Sequence, residues 1–154
     1  MEPRTFLIEL QNRPDGVTNQ SINSYSTLKV TQSTYYQRCA TAVANTTFCN
    51  VTLIVLDSNG KICNKQNIET TLGGVPDVDE ERLFLVELQN RPDGVVNQSL
   101  NTYSTPVMTR AMYHQRYAAA LTNTTFTSVT LVVLDKYGQI YEDVNIITQY
   151  QPEE

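Results

Sequence analysis

The sequence predicts an α+β protein: two tandem β-β-α-β-β repeats forming a pseudo-two-fold dimer, with antiparallel sheets and one helix per repeat. Three observations lead there. Residues 5–70 and 83–148 align without a gap at a constant offset of 78, and roughly 39 of the 66 aligned positions are identical. Each copy carries a Pro-Asp-Gly turn signal after its first apolar run and an Asp-x-x-Gly signal after its last. Between these lies a segment opened by Ser-Thr, followed in the second copy by Pro106 at the first helical position. Two copies are too few for a solenoid, which needs about three. One copy of about 66 residues is marginal alone. Two-fold pairing is the commonest association, and fusing the protomers preserves their interface. The predicted boundaries are 1–72 for the first repeat, 73–82 for an acidic Gly/Pro linker, 83–150 for the second repeat and 151–154 for an acidic tail.

The elements follow in order. FLIELQ at 6–11 is a β-branched and aromatic run that stops at Arg13-Pro-Asp-Gly16. There Pro presets φ and Gly accepts a positive φ. Residues 17–25 are polar and read as an edge strand or an ordered loop. Thr27 and Thr105 are N-cap residues of a helix running to about Ala44, with Asn45 suited to a left-handed cap. At 100° per residue, Leu28, Tyr36, Cys39 and Val43 form one stripe, matched by Pro106, His114, Tyr117 and Leu121, and that stripe is the expected core face. FCNVTLIVL at 48–56 is apolar on both faces, as a central strand covered on both sides would be. One helix covers one side, so the other is expected to meet the second repeat. Asp57-Ser-Asn-Gly60 then turns into a last strand over 61–70.

Composition narrows the function. Charged residues are 18% and apolar ones 40%, both below the usual values of about 25% and 45–50%. Asn, Gln, Ser and Thr fill roughly a third of the chain. The net charge of -5 with scattered Lys and Arg argues against nucleic acid as a partner, and the apolar runs are too short for a membrane span. The N-terminus has no apolar signal-peptide core, and Cys39, Cys49 and Cys63 are an odd number without a CxxC motif. Free thiols in a reducing cytoplasm are the expectation, with no metal and no cofactor. The five Asn-x-Ser/Thr sites, at Asn19, Asn45, Asn50, Asn97 and Asn123, are what chance gives in such a chain.

Catalytic signals are sparse. The cysteines are matched by Tyr117, Thr127 and Tyr141 in the second copy, and the single His114 by Tyr36 in the first. No Gly-rich nucleotide loop occurs. Glu9 and Glu87 interrupt apolar strands, the position of a carboxylate with a raised pKa or of one on the solvated side of an edge strand.

The most informative stretch is Leu-Gln-Asn-Arg-Pro-Asp-Gly-Val-x-Asn-Gln-Ser-x-Asn-x-Tyr-Ser-Thr, at 10–27 and 88–105. It is almost wholly polar yet better preserved between the copies than several apolar positions, such as Ile8/Val86 and Val43/Leu121. Polar loop residues usually drift faster. Either they form a structural network of Asx-type turns, or Arg13, Asp15, Asn19, Gln20, Asn23 and Tyr25, with Arg91, Asp93, Asn97, Gln98, Asn101 and Tyr103, form a recognition surface. On the helix, Thr31, Tyr35, Arg38 and Ala42 recur as Thr109, Tyr113, Arg116 and Ala120 along one stripe beside the expected core stripe. An Arg next to a Tyr can grip an anion, or can snorkel and pair with a carboxylate such as Asp15.

The succession of strand, Arg-Pro-Asp-Gly-Val-x-Asn, Ser-Thr, a helix with Tyr-Tyr/His-Gln-Arg, and Val-Thr-Leu-x-Val-Leu-Asp resembles short uncharacterised proteins of gut Firmicutes and their phages and mobile elements. These resemble a single copy of this repeat. The resemblance implies a small cytoplasmic protein whose single-copy relatives dimerise, and it implies no activity. The expectation is therefore a non-catalytic binding protein for a small anionic ligand or a partner protein, open to further self-association beyond the internal pseudo-dimer. A phage-type sequestering or inhibitor protein acting on a host nucleotide signal or defence protein is one form. A small enzyme using Glu9/Glu87 with Tyr and Arg is the alternative.

Overall fold

The computed structural model describes residues 4–74 and 81–151. Most of the expected linker, residues 75–80, and tail residues 152–154 lie outside the described residues. In the first repeat the elements are β1 (Thr5–Asn12), β2 (Thr18–Tyr25), α1 (Leu28–Val43), β3 (Asn50–Asp57) and β4 (Ile62–Glu69). The second repeats them as β5 (Leu83–Asn90), β6 (Val96–Thr102), α2 (Pro106–Leu121), β7 (Ser128–Asp135) and β8 (Ile140–Ile147). The polar segment after Gly16 is thus a strand at a sheet edge. Each repeat forms one antiparallel four-stranded sheet, ordered β2-β1-β3-β4 and β6-β5-β7-β8.

All four hairpins share one turn. The Gly16 N–H donates to the Arg13 carbonyl at 3.0 Å, and the Arg13 N–H reaches the Val17 carbonyl at 2.9 Å. Gly60, Gly94 and Gly138 repeat the pattern, with φ between 87° and 90°. A positive φ at that step is why each turn ends in glycine. Thr27 and Thr105 cap their helices, accepting from the Val30 and Met108 N–H groups, both at 3.1 Å.

Side-chain alternation along β1 and β3 builds two cores per sheet. Leu7, Val51, Leu53 and Val55 pack under α1 with Tyr35 and Ala42. Phe6, Ile8, Leu10, Ile54 and Leu56 face the other way and join Phe84, Val86, Leu88, Val132 and Leu134 of the second repeat in one shared core. The molecule is layered helix, sheet, sheet, helix, and the both-sided apolar character of β3 has the cause the sequence implied.

Polar bonds fix the two sheets in register. The Ser58 carbonyl, in the β3–β4 turn, accepts from Thr130 Oγ1 at 2.6 Å and Asn90 Nδ2 at 3.1 Å. Reciprocally, the Lys136 carbonyl accepts from Thr52 Oγ1 at 2.6 Å and Asn12 Nδ2 at 3.1 Å. At the other side Gln20 Nε2 donates to the Leu100 carbonyl at 2.8 Å, and Gln98 Nε2 to the Ile22 carbonyl at 2.9 Å. Side chains thereby cover backbone acceptors of the edge strands β2 and β6, which would otherwise invite pairing with another chain.

Two local expectations are corrected. The helix core face is Thr31, Tyr35 and Ala42 in α1 and Thr109, Tyr113 and Ala120 in α2. Leu28, Tyr36, Val43 and Leu121 are exposed, as is His114, while Cys39 and Tyr117 are half-buried at the core margin. Thr31 wins the inward position because its hydroxyl is satisfied there, accepting from Thr5 Oγ1 at 2.8 Å and donating to the Thr27 carbonyl at 3.1 Å. Asn45 is not left-handed either, since every positive φ among the described residues is a glycine. Its Oδ1 instead accepts from the Thr47 and Phe48 N–H groups, at 2.7 and 2.8 Å.

Candidate functional site

α1 lies chiefly over β3 and β4. The helix-side face of β2 is left largely uncovered, and a cavity of about 320 Å³ opens between that face and the helix. The register of β1 and β2 sets its floor: Leu7 lies opposite Asn23 and Glu9 opposite Ser21. Gln11, Tyr25 and Arg38 complete the lining.

The inner wall is an ion pair. Arg38 Nε and Nη2 donate to the two Glu9 oxygens at 2.8 and 2.7 Å, and Gln11 Nε2 donates to Glu9 Oε2 at 2.9 Å. Glu9 is only 8% exposed, and it is not on the solvated side of an edge strand, because β1 is a central strand. A buried carboxylate is tolerable here because three donors and a full countercharge meet it. The bond to Glu9 holds the Arg38 guanidinium above its already high pKa. The second repeat has the same arrangement, with Arg116 to Glu87 at 2.9 and 2.8 Å and Gln89 to Glu87 at 3.0 Å.

The outer wall differs in kind. Ser21, Asn23 and Tyr25 make no side-chain hydrogen bond to another described residue, and neither do Ser99, Asn101 and Tyr103. Asn23 and Asn101 are exposed. All seven lining residues are identical in the second copy, at Leu85, Glu87, Gln89, Ser99, Asn101, Tyr103 and Arg116. The cavities at the two helix N-termini, about 610 Å³ in the first repeat and 370 Å³ in the second, do not share that identity: Thr5, Leu28 and Cys63 line one where Leu83, Pro106 and Tyr141 line the other.

The structure therefore divides the preserved polar block. Asn23, Tyr25 and Arg38 line the groove, with Asn19 on the same face opposite Gln11. Asn97, Asn101, Tyr103 and Arg116 occupy the matching places in the second sheet. Gln20 and Gln98 point the other way and are committed to the inter-sheet bonds. Arg13 pairs with Asp15 and Arg91 with Asp93, each at 2.9 Å on an exposed turn away from the groove. Asp15 and Asp93 also accept from the Val17 and Val95 N–H groups, so they shape the turn. Tyr35 and Tyr113 are buried beneath their helices, 3% and 6% exposed, and present no surface to a ligand. Burial pushes the Tyr35 hydroxyl up to about 12. Gln11 and Ser21 are groove residues that sequence reading missed; both are identical between copies and share the strand phase of Glu9 and Asn23, which is the signal that identifies them.

Among the described residues no cluster of three His, Cys, Asp or Glu side chains could hold a metal, and no helix is long and apolar enough to cross a membrane. The three cysteines are free. Comparison with protein-family models, curated proteins and solved structures found no match.

Proposed function

We propose that this chain is a non-catalytic binding protein in which each repeat contributes one of two equivalent polar grooves. The observation that carries this reading is the identity of the whole groove lining in both copies, combined with three of its polar side chains making no side-chain hydrogen bond to another described residue. A structural network would use those side chains, as the fold uses Gln20 and Asn12. Catalysis is disfavoured because Glu9, the carboxylate among the described lining residues, has three of its roughly four acceptor positions occupied. The positive charge of Arg38 is likewise answered by Glu9, which weakens the case for an anionic ligand and favours an uncharged polar one.

Native mass spectrometry of the gently purified protein, set against its denatured mass, tests the proposal. The expected result is an adduct present up to twice per chain, with Asn23→Ala removing one copy and Asn23→Ala/Asn101→Ala both. An adduct that survives in the double variant, or its absence from the parent protein, contradicts the reading.

A further inference from the structure

We propose that the ligand of each groove is a neutral saccharide unit; this rests on the binding reading above and names its ligand class. The argument begins with charge. Among the described residues that line the groove the full charges are Arg38 and Glu9, bonded to each other through both carboxylate oxygens. The nearest other charges of the block, Arg13 and Asp15, also cancel. A phosphate or carboxylate entering here would give up hydration without gaining a free countercharge, a loss that disfavours charged ligands.

What the groove offers instead is uncommitted hydrogen-bonding capacity of both signs. Asn23 presents an amide donor and acceptor, and Ser21 and Tyr25 present hydroxyls that do both. Arg38 Nη1 makes no hydrogen bond to another described residue, so the guanidinium edge remains available although its charge is balanced. Sugar hydroxyls both donate and accept and stand on adjacent ring carbons, which matches planar two-pronged groups such as amides and a guanidinium. Tyr25 is the aromatic ring among the described lining residues, and the apolar C–H face of a pyranose packs on such a ring while its rim hydroxyls reach the amides. Size agrees, since about 320 Å³ lies at the small end for ligand sites and admits one sugar ring. A single carboxylate among the described lining residues also fits a binder, because glycoside hydrolysis usually requires a pair.

Saturation-transfer and chemical-shift NMR on the full chain test this. The probes are the methyl glycosides of glucose, galactose, mannose and N-acetylglucosamine, with AMP and glutamate as charged counterparts, each in 0.05 and 0.5 M NaCl. At least one glycoside is expected to perturb amides of β2 and β6 together, to bind equally at both salt concentrations, and to lose tenfold or more in Asn23→Ala/Asn101→Ala. Ser21→Ala/Ser99→Ala gives an independent second variant, and an unchanged amide spectrum elsewhere establishes that each variant is folded. If AMP or glutamate alone perturbs the groove, the saccharide class is wrong and the groove remains a binding site. If a glycoside binds undiminished to both variants, or no probe perturbs β2 and β6, the saccharide proposal is overturned, and the native-mass experiment decides separately whether the groove binds anything.

Discussion

Asn12 and Asn90 occupy equivalent positions, but drift has left one of them incompletely satisfied. In the first repeat Asn12 Oδ1 accepts from Thr18 Oγ1 at 2.8 Å. The second repeat has Val96 at the position of Thr18, and Asn90 Oδ1 is buried with no partner. Val96→Thr restores the donor at nearly constant volume and is expected to raise unfolding free energy by about 1 kcal/mol in urea titration. No gain would mean that the orphaned oxygen carries no cost. Single residues also set the limit of what sequence could reveal. Glu9 stood out as a charge inside an apolar strand, but its partner Arg38 is 29 residues away on another element. Pairing the two requires the rotation of α1 about its axis, which no local signal supplied.

At the level of elements, the apolar strands, the helix N-caps and the turns were legible because each is dictated locally, whereas the polar β2 read equally as a loop and Asn45 is not the left-handed cap its type suggests. Thr27 and Thr105 cap, glycine ends each turn, and an apolar run on both faces marks β3. The helix faces were not, because sequence periodicity gives a stripe but not which stripe turns inward. Leu28, Tyr36 and Val43 are the more apolar set, yet Thr31 faces in because Thr5 and the Thr27 carbonyl satisfy its hydroxyl. The β3–β4 and β7–β8 turns carry a second duty that sequence did not show: they dock the repeats together. A Cβ on Gly60 would stand 2.9 Å from Thr130 Cγ2 of the other repeat, and φ there is +89°. Gly60→Ala is therefore expected to cost more than about 1 kcal/mol. Thr130→Ser removes the colliding methyl and keeps the hydroxyl that binds the Ser58 carbonyl, so the double variant should recover part of that loss. Strictly additive costs in calorimetry would contradict the docked turn.

For the whole molecule, the duplication and the both-sided β3 pointed to two sheets sharing a core, and the structure has that form. The sequence could not divide the preserved polar block, because interface and surface residues alternate along the same strand: Gln20 and Ile22 face the second repeat, whereas Asn19, Ser21 and Asn23 face the groove. Two causes of preservation therefore share one strand, assembly for one phase and the proposed binding for the other. The most direct test compares unfolding free energies of two double variants in urea. Gln20→Ala/Gln98→Ala strips the donors from the Leu100 and Ile22 carbonyls and should cost about 1 kcal/mol or more per site. Asn23→Ala/Asn101→Ala should stay within about 0.5 kcal/mol of the parent, as surface substitutions do. If the asparagine variant loses as much stability as the glutamine variant, the groove residues are structural, and the proposed binding role fails.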